Sequence, residues 1–359
     1  MGLGGNPHWW DCPDGIGLIM SYTVPSFKQK AVFSRLFPLA LASVSLIAES
    51  TRKGACVMIA ALIIAAGKTA QKAQFEPQKE IGTIPALLRI VKIFQRADVE
   101  RVVVVGSENG DGLEKLAPRM NVVFLHHADG ADMLEYVKAG LAYLKDKCTA
   151  ALISHVGVPL FTVDTVRALV AADEPVCIPS HRGSAGHPLL LRSAFFDCVL
   201  SYNGSGGLSG AVKASGLERA YVEVDDEGVL ANTRREKDYA RLLSKHSLAQ
   251  IYPEIRIRLA KEKAFYGPGA HQLLKLTDET SSLSEACRQM GISYSKGRKI
   301  IFIMEQQLGQ PVIVGRSGGK YGGFSVVTED GKKLMRCYVA FHEEAKLCVD
   351  RLFSKHFAQ

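Results

Sequence analysis

The sequence contains no pair of cysteines at C-x-x-C spacing; its eight cysteines stand singly at 12, 56, 148, 177, 198, 287, 337 and 348. That absence argues against a zinc knuckle and against a thioredoxin-like redox motif. Scattered thiols in a chain of 359 residues read as reduced, partly buried side chains of a cytoplasmic protein. A long apolar run is also missing. Leu36–Ala48, which follows Lys28, Lys30 and Arg35, is too short to span a bilayer and contains Pro38, so no membrane partner is expected. Nor does charge of one sign dominate: 44 Lys and Arg face 36 Asp and Glu, for a net charge of +8. This balance is compatible with a polyanionic partner without establishing one. A hydrophobic content of 47% excludes global disorder, and the length suits two domains plus appendages.

Residues 1–57 differ from the rest, with Gly, Pro and Trp crowded into the first dozen positions. A basic stretch before an apolar one resembles a secretory signal, but its basic region would be very long. Arg52-Lys53-Gly54-Ala55 can be encoded by a purine-rich tract like a ribosome-binding site, a short spacer before Met58. Translation is therefore expected to begin at Met58, leaving 1–57 as a poorly structured or spurious extension.

From residue 58 to about 246, apolar β-rich runs alternate with helical patterns. Ile59–Ala65, Arg101–Val105, Val122–His126, Ala150–Ser154 and Val176–Ser180 read as strands; Pro85–Ala97, Ala131–Lys145 and Val163–Ala172 read as helices. Pro85 suits a first helical turn, where no N–H is needed. The alternation predicts an α/β fold of three α/β/α layers around a mainly parallel sheet. Ligands of such sheets sit at the carboxyl ends of the strands. The turn after the first strand, Gly106-Ser107-Glu108 and His155-Val156-Gly157 then share one rim. That first turn, Ala66-Gly67-Lys68-Thr69, offers backbone N–H groups to an anion; a plain tight connection is the other reading. His126 and His127 have no carboxylate or thiolate cluster beside them, so they read as surface residues and no metal site is expected.

The stretch Ile59–Glu76 resembles the opening motif of the MobA-like NTP transferases, the nucleotidyltransferases of molybdenum-cofactor maturation. Gly186-His187-Pro188 and Val224–Leu230 match two further motifs in order, so the resemblance runs along 58–246. It implies a nucleotidyltransferase fold, a nucleotide turn at Ala66, Gly67, Lys68 and Thr69, and a substrate side lined by Gly186, His187 and Pro188. The charged positions of the family pattern are replaced. Gln71, Ala73 and Glu76 stand where the motif has Arg, Gly and Lys. Gly157-Val158-Pro159-Leu160 has glycine in place of a metal-binding Asp, and Arg234 occupies the position of a second Asp. Mg²⁺ needs hard anionic oxygens, and nucleotidyl transfer needs that cation to neutralise developing charge. The expectation is a domain without catalytic residues that senses a nucleotide or molybdopterin-type ligand or serves assembly. Mg²⁺ would enter only if transfer were retained.

Tyr252-Pro253 and the charged run 256–263 mark a boundary, and 253–359 reads as a second domain. Ser282 with Glu285 forms a capping box; Leu283, Ala286 and Met290 make an apolar stripe, and Gly291 a helix stop. Ser293 suits the N-cap of a second helix with Ile300, Ile301, Ile303, Met304 and Leu308 on its buried side. Tyr294, Ser295, Lys296, Arg298 and Lys299 are exposed near its start. This is a helix-turn-helix pattern, its second helix suited to a major groove. Pro311–Val314 and Phe324–Val327 read as strands around a glycine-rich tip whose Arg316 and Lys320 can reach phosphates.

Residues 266–331 resemble the winged-helix domain of molybdate-responsive (ModE-type, LysR-like) regulators, with the Gly-Gly-Lys-x-Gly-Gly wing as the distinctive fragment. The separate molybdate-binding domain of that family has no counterpart, so molybdate sensing is not implied. Leu334, Tyr338, Phe341, Ala345 and Leu352 recur at helical intervals, an amphipathic helix that either pairs two copies or packs as core. The resemblance implies a homodimeric regulator that binds double-stranded DNA through Ser293, Tyr294, Ser295, Lys296, Arg298, Lys299, Arg316 and Lys320. The alternatives are a working CTP or GTP nucleotidyltransferase carrying a DNA-binding domain, and a non-catalytic scaffold.

Overall fold

The computed structural model describes residues 58–66, 78–108, 120–231, 239–246, 251–316 and 324–357. The expectations for 1–57, and for Gly67, Lys68, Thr69, Gln71, Ala73, Glu76, Arg234 and Lys320, lie outside these residues.

Strand β1 (Ile59–Ile64) is six apolar residues, all buried. A strand without polar alternation is what a sheet covered on both faces requires. β2 (Glu80–Ile81) and β3 (Ile84–Pro85) form a small hairpin before helix α1 (Ala86–Arg96). Pro85 pairs with Glu80 in extended backbone, so it precedes α1 instead of entering its first turn. β4 (Arg101–Ser107), β5 (Val123–His127), α2 (Met133–Leu144), β6 (Ala150–His155), α3 (Val163–Ala171) and β7 (Val176–His181) follow. β8 (Ser184–Ala185), β9 (Leu189–Arg192), α4 (Phe196–Leu200), α5 (Gly207–Ala214), β10 (Arg219–Glu223) and α6 (Tyr239–Lys245) complete this half.

The sheet order is β10-β7-β9-β6-β1-β4-β5, with β8 beside β7. β9 runs antiparallel between β6 and β7; β1, β4, β5 and β6 pair in parallel, as do β7 and β10. Successive residues of β1 serve opposite layers. Ala60, Leu62 and Ile64 share a core with Leu134, Val137 and Leu141 of α2 and Phe196 of α4. Ala61 and Ile63 share another with Leu87, Ile90 and Phe94 of α1 and Val166 and Leu169 of α3. Side-chain caps start two of these helices: Asp132 accepts from the Glu135 N–H at 3.1 Å, and the Thr162 hydroxyl from the Thr165 N–H at 3.3 Å.

The remaining described chain runs β11 (Leu259–Ala260), β12 (Ala264–Tyr266), α7 (Pro268–Thr280), α8 (Leu283–Gln289), α9 (Tyr294–Leu308), β13 (Ile313–Arg316), β14 (Phe324–Val327) and α10 (Glu329–Phe357). A helix-turn-helix, α8 and α9, is followed by the antiparallel hairpin β13–β14. Leu273 and Leu276 of α7, Leu283 and Ala286 of α8, and Ile301 and Met304 of α9 join the same buried cluster as the α2 face of the sheet. β5 is an edge strand, and α8 lies against it; a bare edge would offer unpaired backbone groups to other chains.

The buried side of α9 is narrower than its sequence suggests. Ile301 and Met304 are buried and Ile300 and Leu308 pack at the margin, but Ile303 is only half-buried and lies outside the cluster. Only the first part of the α10 stripe is covered. Tyr338 is buried, its hydroxyl donating to the Ile257 carbonyl at 2.9 Å, whereas Phe341 and Leu352 are 52% and 50% exposed. With 29 residues, α10 is ~44 Å long, more than a small domain can cover. Among the described residues no helix is long and apolar enough to cross a membrane.

Candidate functional site

The rim forms where β1, β4 and β6 end. The Ala65 N–H donates to the Val105 carbonyl at 2.9 Å and the Val156 N–H to the Ile64 carbonyl at 3.1 Å, joining the three strand ends. Ala66 is half-buried there, and the remaining residues of the expected nucleotide turn lie outside the described chain. Past β6, Val156, Gly157, Val158 and Leu160 are buried. The Gly157 N–H donates to His155 Nδ1 at 3.1 Å. Where the family pattern has a metal carboxylate, this chain has a closed turn between two buried valines.

Gly186-His187-Pro188 reaches the same rim because β9 starts there and runs antiparallel to β6. The Gly186 N–H donates to the Pro179 carbonyl at 2.8 Å, and the His187 N–H to the Val229 carbonyl at 3.0 Å. A Cβ at position 186 would lie 2.5 Å from the Val229 oxygen, so this approach of two backbones needs glycine. The His187 ring stands edge-on to His155, with centroids 4.8 Å apart. Desolvation holds the His187 imidazole below its ordinary pKa, hence neutral at pH 7. Its Nδ1 is buried and has no hydrogen-bond partner among the described residues.

Asp226 clamps this region, a role the sequence reading missed. Its Oδ2 accepts from the Thr162 N–H at 2.7 Å, the Thr162 hydroxyl at 3.0 Å and the Thr165 hydroxyl at 2.6 Å. Its Oδ1 accepts from the Gly228 N–H at 2.9 Å. The Asp-x-Gly spacing signals that last bond, an Asx turn; the other three cross 61 to 64 residues and leave no local trace. The carboxylate is committed to the fold, and little of it is left for a cation. Among the described residues no group of three or more His, Cys, Asp or Glu side chains could hold a metal ion. His126 and His127 are half-buried, their rings resting edge-on against Phe124 (4.9 Å) and Tyr136 (5.1 Å).

The second candidate site lies on α8 and α9. The Ser282 hydroxyl accepts from the Glu285 N–H at 3.2 Å and caps α8. Gly291, at φ 63°, ends that helix: its N–H donates to the Arg288 carbonyl at 3.0 Å, and the Ile292 N–H to the Cys287 carbonyl at 3.0 Å. This doubled closure is a Schellman end. Ser293 follows at once, its hydroxyl accepting from the Lys296 N–H at 3.2 Å to open α9. Where the helices cross, Gly297 is buried, and a Cβ there would lie 2.2 Å from Cys287 Sγ. Gly297 was legible in principle, since a glycine inside a helix costs stability and signals close packing.

Tyr294, Ser295, Lys296, Arg298 and Lys299 are exposed on the first turns of α9. Among the described residues, Lys296, Arg298 and Lys299 form no ion pair, whereas Arg288 is held by Glu285 at 2.7 Å. Phe302, which the sequence reading passed over, is 60% exposed on the same helix. Arg316 ends β13 opposite Phe324. The rim and the helix-turn-helix are not brought together. α7 meets the sheet at its amino end, where Gln272 Nε2 donates to the Val122 carbonyl at 2.9 Å, just before β5.

A 68-residue stretch is 38% identical to the molybdenum-pterin-binding protein MopB of Rhodobacter capsulatus, covering 19% of this chain and 25% of that protein. The chain thus spans about a quarter of the length of that relative. Similar solved structures include a nucleotidyl transferase from Methanothermobacter thermautotroptrophicus, 19% identical with a TM-score of 0.45 over 53% of this chain and 99% of that one. Rv0371c from Mycobacterium tuberculosis H37Rv is 15% identical, with a TM-score of 0.44 over 53% of this chain and 100% of that one. Residues 61–220, from within β1 to within β10, match the MobA-like NTP transferase domain, the family to which this α/β half is similar.

Proposed function

We propose that the chain is a cytoplasmic DNA-binding transcriptional regulator whose α/β domain does not turn over a substrate but senses a ligand or serves assembly. The observation that carries this reading is the exposed cationic start of α9, with Lys296, Arg298 and Lys299, which form no ion pair among the described residues, beside Tyr294 and Ser295. A helix of about 10–12 Å diameter fits a major groove of about 12 Å. The N-terminal turns of such a helix meet base edges, and its flanks meet phosphates. Ser293 sets where the helix begins, and Arg316 and Lys320 of the wing would add phosphate or minor-groove contacts. A homodimer is proposed through the uncovered stripe of α10, including Phe341 and Leu352. For the rim the proposed ligand is a nucleotide or a molybdopterin-type compound. The match of 61–220 supports that choice.

A mobility-shift titration of the full chain, against its own upstream region and random duplex at two salt concentrations, tests the reading. Affinity should fall steeply with salt as counterions are released. Lys296→Ala should weaken binding to all sequences. Arg298→Ala should also relax sequence preference, by ~1–3 kcal/mol where the side chain meets a base. No binding to either duplex at low salt refutes the proposal.

The family match at 61–220 also favours a second reading, a Mg²⁺-dependent CTP or GTP nucleotidyltransferase. Gly157 has no side-chain ligand to offer it, and Asp226 is already bonded four times. Pyrophosphate release from labelled CTP or GTP with Mg²⁺ and molybdopterin, above a no-enzyme control, would establish it over the first.

A further inference from the structure

We infer that the α/β body fixes the pose of the helix-turn-helix through a buried polar hub, so that α9 is carried as part of the body. Arg101, the first residue of β4, has a side chain only 6% exposed. Its guanidinium grips Glu279 on α7 with both prongs, Nη1 donating to Oε2 at 2.8 Å and Nη2 to Oε1. Nη1 also donates to the Tyr143 hydroxyl of α2 at 3.2 Å. That hydroxyl donates to Gln289 Oε1 at 3.1 Å, and Gln289 Nε2 donates to Glu285 Oε1 at 2.8 Å. Gln289 ends α8 and is 4% exposed. Donor and acceptor alternate consistently along the whole chain of bonds, from the central sheet to the first helix of the helix-turn-helix.

The hub supplies what the surrounding contacts cannot. Leu273, Leu276 and Leu283 share their buried cluster with Val103 and Val123 of the sheet. Apolar burial of that kind holds surfaces together without setting their direction. A buried guanidinium is tolerated only when paired, and a two-pronged carboxylate bond fixes angle as well as distance. Further links lie along the same junction: Lys92 with Glu254 at 3.4 Å, the Arg96 guanidinium 4.0 Å above the Tyr252 ring, and Lys346 with Asp98. The hub stands on β4, whose far end builds the rim. β4 runs from Arg101 to Ser107, and α2 from Asp132 at its cap to Tyr143 in its last turn.

Electron–electron double resonance on the full chain reads the pose directly, without DNA or ligand. Spin labels would be placed at Asp164→Cys on α3 and Gln306→Cys on α9, with Cys12, Cys56, Cys198, Cys337 and Cys348 changed to Ser. Dilution with unlabelled protein restricts the signal to distances within one chain. The parent protein should give one narrow distance distribution and a single calorimetric unfolding transition. Glu279→Gln, which keeps the shape but removes the charge, should broaden the distribution about twofold and split the transition. Tyr143→Phe, which deletes one hydroxyl, should broaden it less and serves if the first variant folds poorly. A broad distribution in the parent, or a width unchanged by the variants, overturns the inference. Neither result depends on whether the chain binds DNA, so the two proposals fail separately.

Discussion

Adding one methyl group at the crossing of α8 and α9 tests whether these helices meet as described. In Gly297→Ala the new Cβ would lie 2.2 Å from Cys287 Sγ, against an ordinary contact of 3.4 Å or more, so something must move to restore the contact. At an exposed helix site this change would stabilise by ~1 kcal/mol, because glycine is the poorer helix former. Overpacking a buried contact costs ~1–3 kcal/mol. Leu283 lies 3.9 Å from the new Cβ and Cys287 is fully buried, so the sulfur has little room to turn. The upper part of the range is expected, for a net loss of ~2 kcal/mol. Cys287→Ala alone should cost ~1 kcal/mol through the small cavity it leaves. In the double variant the new methyl occupies that cavity, and stability should return to within ~0.5 kcal/mol of the parent. Urea unfolding followed by circular dichroism, with m unchanged, measures all four corners of the cycle. If Gly297→Ala is as stable as the parent, or if the single effects simply add, the close crossing is refuted.

Other outcomes follow from the same geometry. Asp226→Ala leaves the Thr162 N–H and hydroxyl, the Thr165 hydroxyl and the Gly228 N–H without their shared acceptor, and should cost ~3–5 kcal/mol by thermal unfolding; a loss under ~1 kcal/mol would show that the clamp is dispensable. Acid should weaken the C-terminal half. Burial, with Lys275 and His342 acting the same way, presses His271 from 6.5 to about 4, while the Tyr266 hydroxyl sits 3.0 Å from its Nδ1. The unfolded chain then binds the extra proton between these values, so stability is intact above about 6.5 and falls by up to ~3 kcal/mol as pH drops towards 4. Denaturant titrations at several pH values should show this slope, and His271→Gln should flatten it; an unchanged slope would assign the effect to other groups.

Much of the architecture was determined by the sequence alone, because it is written in neighbouring residues. The uninterrupted apolar run at Ile59–Ile64 requires a strand buried on both faces, and the helix-turn-helix ends are encoded within a few positions by Ser282, Gly291 and Ser293. That Gly157 carries no side-chain ligand was equally plain, since a glycine has no side chain to coordinate with in any fold. Tertiary structure decided the rest. Arg101 and Glu279 are 178 residues apart, and nothing local in either marks them as partners. Asp226 lies in the Val224–Leu230 motif, but its bonds to Thr162 and Thr165 exist only once those residues are folded against it. The stripe on α10 has one periodicity from end to end, yet Tyr338 is buried while Phe341 and Leu352 are exposed. Periodicity specifies which side of a helix is apolar; which length of that side is covered depends on where the remainder of the chain comes to lie.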